Sequence, residues 1–374
     1  MHSNRVELSI NLNNLRKNIH SIRNISNCNL IVMIKANAYG HGLVEVYQYL
    51  KDFCDVKYFG VASIEEALYL RKATKDYDTS IIVFSDIAFS NYVDLRDFID
   101  HKVIPLISSW EDLDFFIHYN QNCTIPLFLK LNTGMNRLGL SYHSEKELVR
   151  ELKKRGIKNI GHLMTHFSSA NSKIDPTSKC WLQNERFKKA KKAIQDSDIV
   201  IEDTSVSNSG AIEQGFGFEE TFVRPGLITY GVSALDLDVR DMSVVKTSLV
   251  SSMTASVIDS FMINKDAEIG YGDMKVDTTG KIILIGVGYG DGLSSRFSGS
   301  TVNYGEEIGK IVGKINMDMT AILFASDLNI KKGARLEIWG EDSRCVNQIS
   351  DEVGIIPYEI LCNIGDRVGK DYII

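Results

Sequence analysis

Short apolar runs alternate with amphipathic stretches over the first 230 residues. The runs cover 31–35, 59–61, 81–84, 103–107, 127–131, 160–165, 204–206 and 222–223. Runs this short, bounded by polar residues, predict buried strands. Helix signals lie between them. Ser63-Ile-Glu-Glu66 and Ser144-Glu-Lys-Glu147 have the spacing of a capping box, in which a serine and an acid three residues on satisfy free helix amides. The first leads into Ala67 and Leu70; the second leads into Leu148 and Leu152 and stops at Gly156. Residues 181–194 place Phe187, Ala190 and Ile194 on one face and lysines elsewhere. Eight strand–helix units predict an α/β fold. A closed (β/α)8 barrel of the TIM type needs that number, but an open doubly wound sheet has the same period.

The pattern changes after residue 236. Leu237-Asp-Val-Arg-Asp241 forms a polar joint, and beyond it Met253, Ala255 and Val257 alternate with polar neighbours. Apolar runs at 282–287, 308–312, 319–324 and 335–339 follow, separated by glycine-bearing turns. This predicts a second, mainly antiparallel β domain with one helix over 350–360. The expected division is 1–236 and 237–374, with the first residues, to about position 10, able to pair with the second domain.

Apolar residues make up 44% and charged residues 24%, a balance that excludes a disordered or low-complexity chain. Forty-two basic and 48 acidic side chains leave a net charge of −6, so no nucleic-acid partner is expected. No apolar run approaches the roughly 18 residues of a membrane span, and the N-terminus turns polar at once. A cytoplasmic protein with no membrane partner is expected. Cys28, Cys54, Cys123, Cys180, Cys345 and Cys362 are scattered without a C-x-x-C spacing, which predicts buried free thiols. No His or carboxylate cluster has metal-ligand spacing, so no metal is expected.

In a barrel, chemistry collects at the C-terminal ends of the strands. Lys35 and Tyr39 follow the first run; Lys130 ends the fifth, with Arg137 in the loop beyond it. His166 follows the sixth, Asn208 and Ser209 the seventh, and Arg224 and Gly226 the eighth. The set is rich in cations and small donors and almost free of carboxylates, which suits a ligand carrying a phosphate and a carboxylate. Lys35 closes the apolar run 31–34. Desolvation and nearby arginines would lower its pKa and free the lone pair for a Schiff base, although a lysine snorkelling at a strand end fits the pattern too. Gly40 and Gly42 could let backbone approach a phosphate, or simply turn the chain. Gly286-Val-Gly-Tyr-Gly-Asp-Gly292 lacks the G-x-G-x-x-G spacing and reads as a tight turn. The lysines at 153–154 and 188–192 read as solvated helix faces.

Val32-Met-Ile-Lys-Ala-Asn-Ala-Tyr-Gly-His-Gly42 resembles the pyridoxal-phosphate attachment motif of the alanine racemases. The likeness extends through Leu129-Lys-Leu-Asn-Thr-Gly-Met-Asn-Arg-Leu-Gly139, Thr165-His-Phe167, Ser207-Asn-Ser209 and Val223-Arg-Pro-Gly226. It continues through Gly270-Tyr-Gly272, Gly288-Tyr-Gly-Asp-Gly292, Met317-Asp318 and Ile356-Pro-Tyr-Glu359. The resemblance implies a (β/α)8 barrel bearing pyridoxal 5'-phosphate, followed by a β domain. It implies an isomerase acting on L- and D-alanine, supplying D-alanine for peptidoglycan. Related racemases for serine or other amino acids, and a barrel-type amino-acid decarboxylase, are the alternatives. The decarboxylases carry a C-terminal cysteine motif that neither Cys345 nor Cys362 matches.

By the same resemblance, Lys35 would hold the cofactor and act as one catalytic group. Tyr39, Ser209, Gly226 and Tyr358 would surround the phosphate, with Asn208 beside them. Arg224 would face the pyridine nitrogen with His166 hydrogen-bonded behind it. Arg137 would orient the substrate carboxylate, held by Lys130, which is carbamylated in many members. Tyr271 would be the second catalytic group, brought with Met317 and Tyr289 by the partner subunit of a homodimer; Asp318 would support it. The chain departs from the family pattern at Asn132, where aspartate is common, and at Asn316, where cysteine is usual. An arginine usual four residues after Asp291 is replaced by Ser295, with Arg296 one position later.

Overall fold

The computed structural model describes residues 4–85, 92–120, 125–341 and 343–374; Cys123 lies outside the described residues. Strand β1 (Val6–Asn11) comes first. Eight strands then form a closed parallel barrel: β2 (Asn29–Met33), β3 (Tyr58–Val61), β4 (Ser80–Val83), β5 (Val103–Ile107), β6 (Phe128–Lys130), β7 (Asn159–Met164), β8 (Val200–Ser205) and β9 (Phe222–Val223). The barrel closes where Asn29 and Leu30 of β2 register with Phe222 and Val223 of β9. Closure removes both sheet edges and decides between the two folds that the period alone left open.

Residues on a barrel strand face the barrel axis and the helix layer alternately. Ile31, Ile82, Ile104, Leu106, Phe128, Met164 and Phe222 pack together inside the barrel, whereas Leu30, Val32, Ile81 and Val83 join the larger core under the helices. Polar side chains share the interior with them. His162 stacks on Phe128 at 4.9 Å and meets Phe222 edge-on at 5.5 Å. The helices begin where serine chemistry places them. Ser63, Ser109, Ser144 and Ser178 each accept from a backbone amide three residues on, a cap typically worth about 1 kcal/mol.

The second sheet contains β10 (Ser251–Ile263), β11 (Gly280–Ile285), β12 (Thr301–Tyr304), β13 (Glu307–Val312), β14 (Thr320–Phe324), β15 (Arg335–Trp339) and β16 (Gly369–Ile373). Its order is β12-β13-β14-β11-β10-β1-β16, with β15 pairing β10. Every pairing is antiparallel except β1 with β16, so the chain's first strand belongs to this sheet, not to the barrel. The helix expected over 350–360 is instead two helices, Val346–Val353 and Pro357–Cys362. Gly354 ends the first at φ 67 and Pro357 opens the second, the asymmetry those residues favour. The thiols are also less uniformly buried than expected. Cys28, Cys54 and Cys180 are buried, Cys345 is half-buried and Cys362 exposed, all five free.

Candidate active site

The first correction falls on Lys35. The run that contains it ends as a strand at Met33, and Lys35 opens a short turn over Lys35–Tyr39. Ala36, Asn37, Ala38 and Tyr39 all have φ between +51 and +54. A left-handed turn of L-residues costs roughly 1–2 kcal/mol per residue, so it persists only where the surroundings over-determine it. The surroundings do so. Ala38 N–H donates to the Ile34 carbonyl at 2.8 Å and Gly40 N–H to that of Ala36 at 3.0 Å. The His41 ring lies beneath, its Nδ1 against the Tyr39 carbonyl at 2.8 Å and that of Ala38 at 3.1 Å. Both partners are acceptors, so Nδ1 carries the proton and Nε2 accepts from Ser251 Oγ at 3.0 Å. Burial lowers the pKa of His41 to about 4 and keeps it neutral. Gly40, at φ 81, lies against the Leu361 carbonyl with no room for a Cβ.

Lys35 therefore reaches the barrel mouth from a rigid turn. Burial lowers its pKa and the Arg137 guanidinium lowers it further, while Cys362 and Glu66 oppose them. Lys130, buried at the end of β6, falls to about 8 through burial and then through Arg137, Arg224 and Lys35. Four cationic side chains thus crowd one mouth. Such a field attracts an anion.

Arg224 is buried and strongly fixed. Its guanidinium donates to Ser205 Oγ, to the Thr165 carbonyl at 2.7 Å and to the Val206 carbonyl at 3.0 Å. Ser205 Oγ also lies 2.7 Å from His162 Nε2. Because Ser205 accepts from Arg224, its own proton goes to His162, whose Nε2 must be unprotonated. Burial holds His162 in that state, with its pKa at about 3. Burial lowers Arg224 itself to about 9, leaving it cationic at neutral pH. His166 is not among the hydrogen-bond partners of Arg224, contrary to expectation. Burial, and then Arg224 and the other three cations, push its pKa well below 6.5, so it is a neutral ring.

On the other side of the mouth, Gly226 N–H donates to Ser209 Oγ at 3.0 Å. A Cβ on Gly226 would stand 2.6 Å from the Tyr39 hydroxyl and 3.6 Å from Ser209 Oγ. Two hydroxyls thus meet where only glycine leaves space, the Gly226 amide fixing that of Ser209. Tyr358, from the helix Pro357–Cys362, brings its ring to 6.0 Å from that of Tyr39. Burial pushes the Tyr358 hydroxyl up to about 12, so it remains a proton donor. A cavity of about 430 Å³ joins these groups. Lys35, Tyr39, Lys130, Arg137, His166, Asn208, Ser209, Arg224, Gly226 and Tyr358 all line it.

Four expected site residues lie elsewhere in the single chain. Tyr271 sits between Gly270 (φ 68) and Gly272 (φ 84) at the tip of a loop and is 71% exposed. Met317 and Tyr289 are about half exposed, and Asp318 pairs with Arg367 at 2.9 Å. Met317 and Tyr289 are neighbours, since Gly290 N–H donates to the Met317 carbonyl at 3.0 Å. The 286–292 glycine segment is the tight turn expected, with a 3-10 turn at Tyr289–Asp291. Arg296 reaches the Gly354 carbonyl at 3.4 Å.

Comparison with known proteins places the chain. The family described as "Alanine racemase, N-terminal domain" matches residues 10–234, and "Alanine racemase, C-terminal domain" matches residues 250–372. The chain belongs to the alanine racemase family. It is 31% identical over 373 residues to an alanine racemase of Coxiella burnetii, with 98% of each chain covered. It is 31% identical over 375 residues to that of Aeromonas hydrophila, covering 97% of this chain and 98% of the relative. Among solved structures, the alanine racemase from Bartonella henselae with covalently bound pyridoxal phosphate is 26% identical, with a TM-score of 0.83 and 99% of each chain covered. The alanine racemase from Acinetobacter baumannii is likewise 26% identical, with a TM-score of 0.83, covering 99% of this chain and 100% of that one.

Within this member of the family, several groups around the mouth escaped the reading of the sequence. His162 and Ser205 anchor Arg224 from inside the barrel, and a histidine within an apolar strand was their one signal. Glu66 is the other. It was read as a helix cap, yet its carboxylate accepts from Ala36 N–H at 2.6 Å and Ala62 N–H at 2.7 Å, away from its own helix. An acid in the first turn of a helix that follows a barrel strand stands at the mouth by construction, and that could have been read.

Proposed function

We propose that the chain interconverts L-alanine and D-alanine with pyridoxal 5'-phosphate, the D-isomer serving peptidoglycan. The observation that carries this is the convergence of Lys35, Arg224, Tyr39, Ser209 and Gly226 on one cavity of about 430 Å³. The cavity fits the cofactor chemically: an amine for its aldehyde, hydroxyl donors for its phosphate, a fixed guanidinium for its ring nitrogen. The bound cofactor withdraws electrons from the substrate α-carbon and so acidifies its proton.

The protein's groups do the rest. Tyr39, Ser209, Gly226 and Tyr358 hold the phosphate, with Asn208 at their side. Arg224 donates a hydrogen bond to the ring nitrogen without protonating it, because a guanidinium does not give up its proton. That weakens the electron sink and disfavours transamination. Arg137, at the rim, binds the substrate carboxylate. Lys130 stands beside Arg137 as another cation, and like charges repel, so as a free amine it is a poor holder of Arg137. A carbamate on Lys130 would reverse that sign, and an amine that titrates near 8 is partly neutral and able to react with carbon dioxide.

Lys35 moves the proton on one face of the α-carbon and Tyr271 on the other, which inverts the carbon without turning the substrate over. Tyr271 comes from a second copy of the chain. Supporting this, Tyr271, Met317 and Tyr289 are exposed on the second domain and none lines the cavity of its own chain. The reading takes 1–236 as the cofactor-bearing barrel and 237–374 as the domain that reaches across the dimer. It places the protein in the cytoplasm, where five free thiols would persist. Among the described residues, no helix is long and apolar enough to cross a membrane. The test is chiral analysis of products after separate incubation of the loaded enzyme with L-alanine, L-serine and other L-amino acids. Fast formation of D-alanine is expected. Preferred racemisation of another substrate, or release of carbon dioxide, would overturn the assignment.

A further inference from the structure

A capping glutamate at the third position of a helix ordinarily returns to the amide of its own cap residue. Glu66 does not. One carboxylate oxygen takes the amide of Ala62, just beyond β3, and the other takes the amide of Ala36, just beyond Lys35. The two bonds, 2.7 and 2.6 Å long, tie the C-terminal ends of neighbouring barrel strands together. Charge-assisted bonds of this length are about twice as strong as neutral ones. The amide that Glu66 takes belongs to the first of four left-handed residues, so it fixes the peptide plane from which the Lys35 side chain leaves.

We propose that Glu66 is a positioning residue for Lys35, pinning the backbone behind the amine and setting a negative charge beside it. The inference rests on the reading that Lys35 holds the cofactor and moves a proton. The groups around Lys35 are the cations Arg137 from the loop after β6, Lys130 from the end of β6 and Arg224 after β9, with His166 after β7, the Tyr39 and Tyr358 hydroxyls, Cys362 from the helix Pro357–Cys362, and Glu66. Arg137 and Lys130 are cations, His166 is neutral, and a Cys362 thiol raised by burial is neutral too. Glu66 is therefore the standing negative charge among them. It opposes the burial and the like charges that would otherwise strip the proton from Lys35 at too low a pH.

The experiment compares holoenzyme carrying Glu66, Glu66→Gln and Glu66→Asp. Glutamine is neutral and turns its amide NH2, a donor, toward one of two N–H donors, so both the charge and one hydrogen bond go. The acid limb of the kcat profile, which reports the substrate complex where Lys35 is a free amine, should then move down by roughly one pH unit. Amide hydrogen exchange in the peptide containing Ala36 should quicken at least tenfold, a readout independent of turnover. Aspartate keeps the charge but is one methylene short, so its acid limb should stay near the original while exchange still quickens. A purely structural glutamate would lower the rate and leave the limb in place; an unmoved limb in Glu66→Gln overturns the inference. If that variant fails to fold, an Ala36 peptide that exchanges in Glu66→Asp as slowly as in the parent overturns it equally. Borohydride reduction of the parent holoenzyme, followed by peptide mapping, separates the two claims. A label away from Lys35 sinks the underlying reading, whereas a label on Lys35 leaves that reading intact and Glu66 alone on trial.

Discussion

A phenol with an ordinary pKa of about 10 is a poor base at neutral pH, so Tyr271, in the role proposed for it, would need a field that favours its anion. The neutral state of His166 removes one source of that field. In that role the charge would come from Arg224 and Arg137, which line the cavity that a second copy would approach. Tyr271 would then serve one face only, and Tyr271→Phe separates the faces. Exchange of the α-deuterium of L-alanine into water should slow roughly a hundredfold, the usual scale for a lost acid–base group. Exchange from D-alanine, which Lys35 would serve, should change far less. Equal slowing from the two isomers would remove the one-face role.

At the scale of elements, the site depends on turns more than on strands. The corner between β9 and the helix that follows is closed by Gly226, where a Cβ would meet the Tyr39 hydroxyl at 2.6 Å. Gly226→Ala should fold, because its crowding falls on a hydroxyl and not on the core. Overpacking of this kind costs roughly 1–3 kcal/mol. Cofactor affinity, read by equilibrium titration of the visible absorbance, should drop about tenfold to a hundredfold. Unchanged affinity would mean that the phosphate sits elsewhere. The strands themselves were legible because burial is written directly into short runs: 103–107 in the barrel and 335–339 in the second sheet have the same bounds in sequence and structure. The turn at Lys35 was not. Nothing between Ile34 and Gly40 announces four left-handed residues; the Leu361 carbonyl, the His41–Ser251 bond and Glu66 impose them from distant parts of the chain. The split of the last helix lies between these cases. Gly354 and Pro357 carried the signal, and the apolar residues around them hid it.

One apolar core runs through barrel and second sheet, and several buried polar groups beside it titrate. His41 reaches Ser251 of β10 across the seam between the two, and within the barrel domain Glu213 accepts from Ser233 Oγ and from Ala234 N–H at 2.8 Å. His41, His162 and His166 fold neutral with pKa values pressed below 6.5. Below pH 6.5 the unfolded chain binds protons that the folded chain refuses, so their contribution is present above 6.5 and lost as pH falls. Glu213 runs the other way. Burial raises it to about 7, so its contribution is present below the ordinary 4.5 and lost as pH rises through 7. Three groups against one decide the sign. Stability to urea should fall between pH 6.5 and 5 by roughly 2–3 kcal/mol per pH unit, a large part of a typical total. A flat profile over that window would show that these histidines are solvated.

Assembly is the remaining property of the whole. An isologous dimer that exchanges Tyr271 between copies makes two sites, each built from both chains. Lys35→Ala destroys the barrel half of a site and Tyr271→Phe the other half. Alone, each variant carries the same defect in both sites. In a mixed dimer, one site collects both substitutions and the other collects none. Random reassortment makes half the dimers mixed, each with one intact site of two, so activity should recover to roughly a quarter of that of the unmodified enzyme. Recovery should follow the kinetics of subunit exchange and vanish if the copies are crosslinked before mixing. If Lys35 and Tyr271 instead served the same chain, every mixed dimer would carry one defect per site, and mixing would restore nothing.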